Sequence, residues 1–306
     1  MKIIYLGTPE FAVKPLESLI KSKHEVVAVV TQPDRPVGRK GIITPPPVKV
    51  VAEKNNIPVY QFEKIRTDGI ESLKSLNADA MVTCAYGQIL SEEVLNICPY
   101  GVYNIHASLL PKYRGAAPIQ YAIICGEKTT GITFMKTDVG LDTGDIVKQY
   151  PLDILPDETF GALSERLSIL GAEKVADVMT EIETGNACPV KQNDEFMSVV
   201  KTIKNEDCII DFARNSEAVK NLINGLSPAP CAYTFLNGKR YKFYNASLSG
   251  GSGNAGEVIC ADKKLILACG EGAVEIRSLQ EEGGKVMDAK SFLLGRKLKV
   301  GDVFKV

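Results

Sequence analysis

The chain has 306 residues, 45% of them apolar and 24% charged, with a formal net charge of -1. That length exceeds what one hydrophobic core ordinarily supports, which predicts two domains, and the near-neutral sum excludes a global positive field as the means of meeting nucleic acid. No uncharged apolar run approaches the ~18 residues of a membrane span, and the start, Met1-Lys-Ile-Ile-Tyr-Leu-Gly7, reads as a strand and a glycine turn, not a signal peptide.

Residues 2–6 predict a short strand, Gly7-Thr-Pro9 a turn, and residues 11–20 a helix burying Phe11, Leu16, Leu19 and Ile20. Residues 25–31 follow as a strand whose core, Val26-Val-Ala-Val-Val30, is apolar without alternation, as in a parallel sheet covered on both faces. Strand, turn, helix and strand make a βαβ opening, and right-handed crossovers then build a doubly wound, mostly parallel sheet. His24, in the polar turn Lys23-His-Glu25, is expected at the surface. Only Gly7 occupies the first turn, so the dinucleotide fingerprint G-x-G-x-x-G is missing, and no GxxxxGK[ST] occurs. Nicotinamide, flavin and nucleoside triphosphate chemistry are thereby disfavoured.

In residues 32–41 proline and glycine exclude regular structure, and Arg35, Arg39 and Lys40 lie on an excursion beyond a strand's carboxyl end. Such a loop is either simply solvated or a contact for phosphate. A helix over 48–54, an edge strand over 57–60, a helix over 70–76 and an interior strand over 80–85 come next. Residues 101–105 bring the chain to Asn104-Ile-His106, where alternation puts the Asn104 and His106 side chains on one side of a strand. A helix over 118–124 precedes strands over 131–135 and 145–150. Residues 159–182 then carry Phe160, Leu163, Leu167, Leu170, Val175, Met179 and Ile182 at mostly three- and four-residue spacing, a helix that Asp157 or Thr159 could cap.

Periodicity is lost from 184 to 204, as in a connection between domains. A helix over 217–226 and short strands over 232–236, 240–246, 256–260, 265–269 and 273–279 follow, with Asn237-Gly238 as a hairpin turn. They suggest a small closed barrel or sandwich, an oligonucleotide-binding type of barrel among them. Charge is uneven: residues 153–195 hold ten acidic and three basic side chains, residues 199–246 seven basic and four acidic, and residues 290–299 four basic and no acidic. The eight cysteines form no CxxC and do not cluster near histidine, which points to scattered buried thiols in a reducing cytosol without structural zinc.

Three residue types suggest chemistry. The imidazole of His106 can take a proton near neutral pH or stabilise an anion. Asn104 offers amide N–H donors to an oxyanion. Asp142, in Gly140-Leu-Asp-Thr-Gly144, could fix the imidazole tautomer and accept a proton from an amine. Each also has a plain role as a turn former or capping residue. Together they form an acyl-transfer set without a protein nucleophile, because Ser108 sits on a local turn and Cys84 and Cys98 in buried-looking strands. The nucleophile is then the substrate's own amine.

The stretches Gly7-Thr-Pro-Glu-Phe11, Thr31-Gln-Pro-Asp-Arg-Pro36, Ala85-Tyr-Gly87, Asn104-Ile-His-Ala-Ser-Leu-Leu-Pro111, Tyr113-Arg-Gly-Ala-Ala-Pro-Ile-Gln120, Asp138-Val-Gly-Leu-Asp-Thr-Gly-Asp145 and Gly225-Leu-Ser-Pro-Ala-Pro230 resemble the methionyl-tRNA formyltransferases over nearly the whole chain. The Asn/His/Asp set is also similar to that of other 10-formyltetrahydrofolate enzymes: sugar-nucleotide and glycinamide ribonucleotide formyltransferases, and the formyltetrahydrofolate hydrolase. A tRNA-binding module without activity is the non-enzymatic alternative.

The resemblance implies a Rossmann-like catalytic domain over residues 1–188, a linker over 189–205 and a tRNA-contacting β-barrel over 206–306. It implies transfer of a formyl group from 10-formyltetrahydrofolate to the α-amine of initiator methionyl-tRNA, with Asn104, His106 and Asp142 catalytic and no metal. Folate contacts are expected from Tyr86, Gly87, Ile89, Leu90, Ser108, Leu109, Leu110, Pro111, Asp138, Val139 and Gly140, and tRNA contacts from Arg35, Arg39 and Lys40. A cytoplasmic monomer is expected. The chain departs from the family pattern at Val199-Val200, where Tyr-Ala is usual, at Phe212 in place of Trp, and at Ala229 in place of an aromatic.

Overall fold

A computed structural model describes every residue except Arg39, Lys40, Arg296 and Val306. The described residues form two compact units. One comprises Met1–Gly115, Gly131–Leu152 and Ser164–Val199, and the other Ala116–Thr130, Asp153–Leu163 and Val200–Val306.

The first unit is built on a sheet of seven strands: β1 (Lys2–Gly7), β2 (Glu25–Thr31), β3 (Val59–Gln61), β4 (Ala80–Cys84), β5 (Val102–His106), β6 (Thr129–Lys136) and β7 (Ile146–Asp153). Their spatial order is β7-β6-β5-β4-β1-β2-β3. Strands β5, β4, β1, β2 and β3 run parallel, and β6 is antiparallel to β5. Ile3, Ile4, Tyr5 and Leu6 are fully buried, as expected of a strand covered on both faces. The chain leaves β1 toward β2 and later returns to β4 on its other side, so the order reverses between β1 and β4. Open α/β sheets bind ligands outside the carboxyl ends of the strands at such a point. Gly7 lies there opposite Cys84. A Cβ on Gly7 would stand 2.9 Å from that of Ala12 and 3.1 Å from the Cys84 carbonyl oxygen, so only glycine fits the turn.

The part of the long helix Phe160–Glu183 that lies in the first unit, from Ser164 on, bonds to the segment that follows β1. Ser168 Oγ donates to the Phe11 carbonyl at 2.7 Å, and Ser18 Oγ donates to that of Ala172 at 2.5 Å. The same helix corrects the reading of His24. This side chain is buried, not superficial: Nε2 lies 3.2 Å from both the Ala176 carbonyl and Thr180 Oγ1, and Nδ1 lies 3.8 Å from Glu183. Burial lowers its tendency to hold a proton.

Residues 32–41 are also not irregular throughout, although their prolines and glycines suggest it. Arg35–Val37 pairs antiparallel with Ile42–Thr44 in a two-stranded ribbon whose Val37, Ile42 and Ile43 are exposed. Both strands of such a ribbon are edges, so Pro36 costs no interior ladder bond. The thiols are also more varied than expected. Cys84, Cys98, Cys208, Cys231 and Cys269 are buried, Cys260 is half-buried, and Cys125 and Cys188 are exposed.

The second unit contains β8 (Ala232–Leu236), β9 (Lys239–Ser249), β10 (Val258–Ala261), β11 (Leu265–Ala268), β12 (Ala273–Glu281) and β13 (Met287–Asp288). The order is β8-β9-β12-β11-β10, with β13 also on β12. Asn237-Gly238 makes the hairpin turn with both residues at positive φ, 50° and 77°. Ile210, Phe212, Ile223, Phe243, Leu267, Leu279 and Phe304 are among the side chains of its apolar core, which absorbs Phe212. The short helix Ala289–Leu294, absent from the sequence reading, starts where Ser291 N–H donates to Asp288 Oδ1 at 2.9 Å. Near its end the chain bonds to both β8 and β10: Phe235 and Lys305 exchange backbone hydrogen bonds, and Val258 N–H donates to the Asp302 carbonyl.

Candidate active site

Asn104 and His106 occupy the carboxyl end of β5, where Asn104 lies opposite Thr83 of β4. Asn104 Oδ1 accepts from Thr83 Oγ1 at 2.9 Å, and its Nδ2 donates to Asp142 Oδ1 at 3.4 Å. A carboxylate only accepts, so Asp142 requires the nitrogen side of this amide to face it. His106 is 5% exposed and stands between two acceptors, with Nε2 3.0 Å from the Tyr113 carbonyl and Nδ1 3.6 Å from Asp142 Oδ2. Neutral imidazole has one N–H, so only the imidazolium can donate toward both.

Asp142 is held in the left-handed region, φ 53°. Its Oδ2 accepts from Gly115 N–H at 2.8 Å, while Gln192 Nε2 donates to the carbonyls of Asp142 and Gly144, each at 2.8 Å. The turn is tight enough that any Cβ on Gly144 would collide with the Lys136 carbonyl oxygen. On its other side, Asp138 Oδ1 accepts from Gly140 N–H at 3.1 Å and from Thr143 Oγ1 at 2.7 Å. Val139 and Leu141 remain 71% and 59% exposed, leaving apolar surface beside the carboxylate.

Ser108 is buried and donates to the Lys112 carbonyl at 2.6 Å, a local backbone bond that occupies its hydroxyl proton. Leu110 is buried, its N–H donates to Thr133 Oγ1, and its bond to Pro111 is cis. Leu109 and Pro111 are half-buried. Tyr86 and Leu90 are buried, Gly87 has φ 90°, and Ile89 is 78% exposed. The Tyr86 carbonyl accepts from Thr8 Oγ1 and Gln32 Nε2, which ties together the loops after β1, β2 and β4. Its buried hydroxyl has no hydrogen-bond partner among the described residues, and burial pushes its ionisation well up. Arg35 is exposed and paired with Glu63 at 2.6 Å. Arg39 and Lys40 lie outside the described residues.

Thr83, the Tyr113 carbonyl, the Gly115 amide and Gln192 were not selected from the sequence. Thr83 did leave a signal, being the lone hydroxyl in the apolar run Ala80-Met-Val-Thr-Cys-Ala85. Gln192 left none, because residues 184–204 lack periodicity. Among the described residues no three His, Cys, Asp or Glu side chains converge as a metal site would, and no helix is long and apolar enough to cross a membrane.

Residues 1–179 match the family described as Formyl transferase, and residues 202–297 match Formyl transferase, C-terminal domain. A methionyl-tRNA formyltransferase from Geotalea daltonii is 47% identical over 303 residues, 98% of this chain and 97% of its own. One from Staphylococcus epidermidis is 46% identical over 298 residues, 96% of each chain. The fold is shared with the N-formyltransferase of Helicobacter canadensis, solved in complex with folinic acid and dTDP-3-aminofucose. That structure aligns at a TM-score of 0.70 and 20% identity, over 90% of this chain and 98% of the other. With both formyl transferase domains matched and nearly half of its residues identical to these enzymes along its length, the chain belongs to the methionyl-tRNA formyltransferase family.

Proposed function

We propose that Asn104, His106 and Asp142 carry the transfer of a formyl group from 10-formyltetrahydrofolate to the α-amino group of initiator methionyl-tRNA. The carrying observation is the convergence of Asn104 Nδ2 and His106 Nδ1 on one carboxylate at 3.4 and 3.6 Å. Ser108 is spent on a backbone bond, and burial pushes the Cys84 thiol up to about 12. 10-Formyltetrahydrofolate supplies the formyl group and departs as tetrahydrofolate. As the amine bonds to the formyl carbon, the carbonyl π electrons move to oxygen. Asn104 Nδ2, with one N–H engaged and one to spare, donates to that oxyanion, while His106, its ring nitrogens turned to the Tyr113 carbonyl and Asp142, holds the carboxylate and the Tyr113 segment beside it. Asp142 accepts the proton that the attacking nitrogen sheds, and this proton is available to the departing folate nitrogen when the tetrahedral centre collapses.

Tyr86, Gly87, Ile89, Leu90, the stretch Ser108-Leu-Leu-Pro111, and Asp138-Val-Gly140 are assigned to folate. The exposed apolar side chains of Ile89, Val139 and Leu141 support this, because the flat faces of a pteridine pack on apolar surface while its polar edge hydrogen-bonds. Arg35, Arg39 and Lys40 are assigned to tRNA phosphates, which position the acceptor end without reading sequence. For the C-terminal part, hydrogen bonds from residues 302–305 to strands at both edges of the sheet favour a closed barrel. The functional division at residues 188 and 206, a monomeric state and a cytoplasmic location complete the reading.

The test offers the pure protein labelled 10-formyltetrahydrofolate with initiator methionyl-tRNA, elongator methionyl-tRNA and amino-sugar nucleotides. Label is expected on the initiator. Preferential transfer to a sugar nucleotide, or release of formate without transfer, would reject the assignment. Arg39→Ala is expected to weaken tRNA use and flatten its salt dependence while sparing slow hydrolysis of the folate.

A further inference from the structure

We infer that Gln192 and Ser198, in the stretch between the two family-matched regions, are positioning residues for the transfer site. This rests on the functional reading above and adds to it a brace for the reacting groups. Residues 113–115 touch two of the three proposed catalytic side chains, the Tyr113 carbonyl meeting His106 Nε2 at 3.0 Å and Gly115 N–H donating to Asp142 Oδ2 at 2.8 Å. Residues 192–198 hold that segment from behind. Tyr113 N–H donates to Ser198 Oγ and Arg114 N–H to the Ser198 carbonyl, both at 2.9 Å. The buried Arg114 guanidinium donates through Nε to Gln192 Oε1 at 2.9 Å and through Nη2 to Asp194 at 2.7 Å.

Gln192 then closes the circuit. Its Oε1 takes Arg114, and its Nε2 donates to the carbonyls of Asp142 and Gly144, so its polar groups are all engaged. Tyr113 and Asp142 both adopt left-handed backbone, φ 61° and 53°, which L side chains keep only where surrounding bonds hold them. One amide therefore fixes the Asp142 turn and, through Arg114, the carbonyl that faces His106. Without it the turn is free to relax, and the carboxylate drifts from Asn104 and His106. Such a loss falls on the transition state, where the three groups act together, more than on substrate binding.

The experiment measures kcat and KM with initiator methionyl-tRNA and 10-formyltetrahydrofolate for the full-length wild type, Gln192→Ala, Gln192→Glu, Ser198→Ala and Ser198→Thr. Circular dichroism and thermal melting check that each variant is folded. Gln192→Ala is expected to lose at least tenfold in kcat with both KM values within threefold. Gln192→Glu keeps the acceptor for Arg114 but removes both donors, and is expected to lose as much. Ser198→Thr, which retains the hydroxyl, is expected to recover most of the rate lost in Ser198→Ala. Folded Gln192 variants with kcat within twofold of wild type, or a KM rise at constant kcat, would overturn the inference and leave the functional reading intact. A wild type without transfer would overturn that reading and this inference with it.

Discussion

Asp142→Asn tests the catalytic set most directly. The substitution removes the negative charge facing His106 at 3.6 Å, a separation at which a carboxylate attracts an imidazolium, when the ring carries its second proton, by roughly 4–5 kcal/mol for an effective dielectric of about 20. Access of solvent to a side chain that is 18% exposed reduces this, to roughly half on the same scale. Hydrogen bonding adds a second cost. Asp142 presents one oxygen to Asn104 Nδ2 and the other to Gly115 N–H, whereas asparagine has one acceptor oxygen and must turn its own NH₂ toward one of these donors. A net loss of roughly 2–3 kcal/mol of transition-state stabilisation corresponds to a fall in kcat of roughly 30- to 150-fold. Single-turnover transfer from labelled 10-formyltetrahydrofolate to saturating initiator methionyl-tRNA measures it free of product release. A folded variant whose transfer rate stays within threefold of wild type would refute the role of the carboxylate.

Asn104→Ala removes the oxyanion donor and is expected to lower kcat by roughly 10²–10³ with little change in KM; an equal loss of folate affinity would assign Asn104 to binding instead. Thr83→Val leaves Asn104 Oδ1 without its 2.9 Å donor, and a smaller drop in the same assay is expected, about tenfold. The thiols give a labelling prediction: iodoacetamide at about pH 8 modifies exposed Cys125 and Cys188 in the native protein, while Cys84, Cys98, Cys231 and Cys269 react only after unfolding. Burial raises the latter group, Cys84 to about 12 and the others to about 11, so peptide mapping that finds any of them modified early contradicts the packing. Glu281 receives Lys297 at 2.6 Å and Lys239 at 3.1 Å, and the bond from Lys297 first, then that from Lys239, holds its carboxyl below the ordinary 4.5. A depressed carboxyl stabilises the fold above its unfolded value and loses that contribution as pH falls through the folded one. Melting of wild type and Glu281→Gln should therefore differ above pH 4.5 and converge below it, and a gap that widens on acidification would reverse the sign.

Much of the fold was legible because its signals are local. Val26-Val-Ala-Val-Val30 could serve only a strand covered on both faces, and the spacing from Phe160 to Ile182 only a helix with one apolar side. His24 misled because its neighbours Lys23 and Glu25 are polar, while its partners Ala176, Thr180 and Glu183 lie some 150 residues further along the chain. Proline and glycine point to irregular backbone over 32–41 because they break interior strands, yet Arg35–Val37 pairs with Ile42–Thr44, where both strands are edges and that rule lapses.

The sequence by itself determined the residues of the proposed site: an amide and an imidazole two residues apart on one strand face, and an acidic turn bounded by glycines. That much follows from side-chain chemistry and the alternation of a strand. Only the tertiary structure decided that Asp142, 36 residues from His106, faces it at 3.6 Å, that Thr83 of the neighbouring strand sets the amide of Asn104, and that Gln192 grips the turn from an aperiodic stretch. These are polar contacts between segments remote in sequence, hydrogen bonds for Thr83 and Gln192 and a charge contact for Asp142. Their geometry is fixed by parallel strand register and by how closely glycine lets backbones approach, neither of which has a local signature.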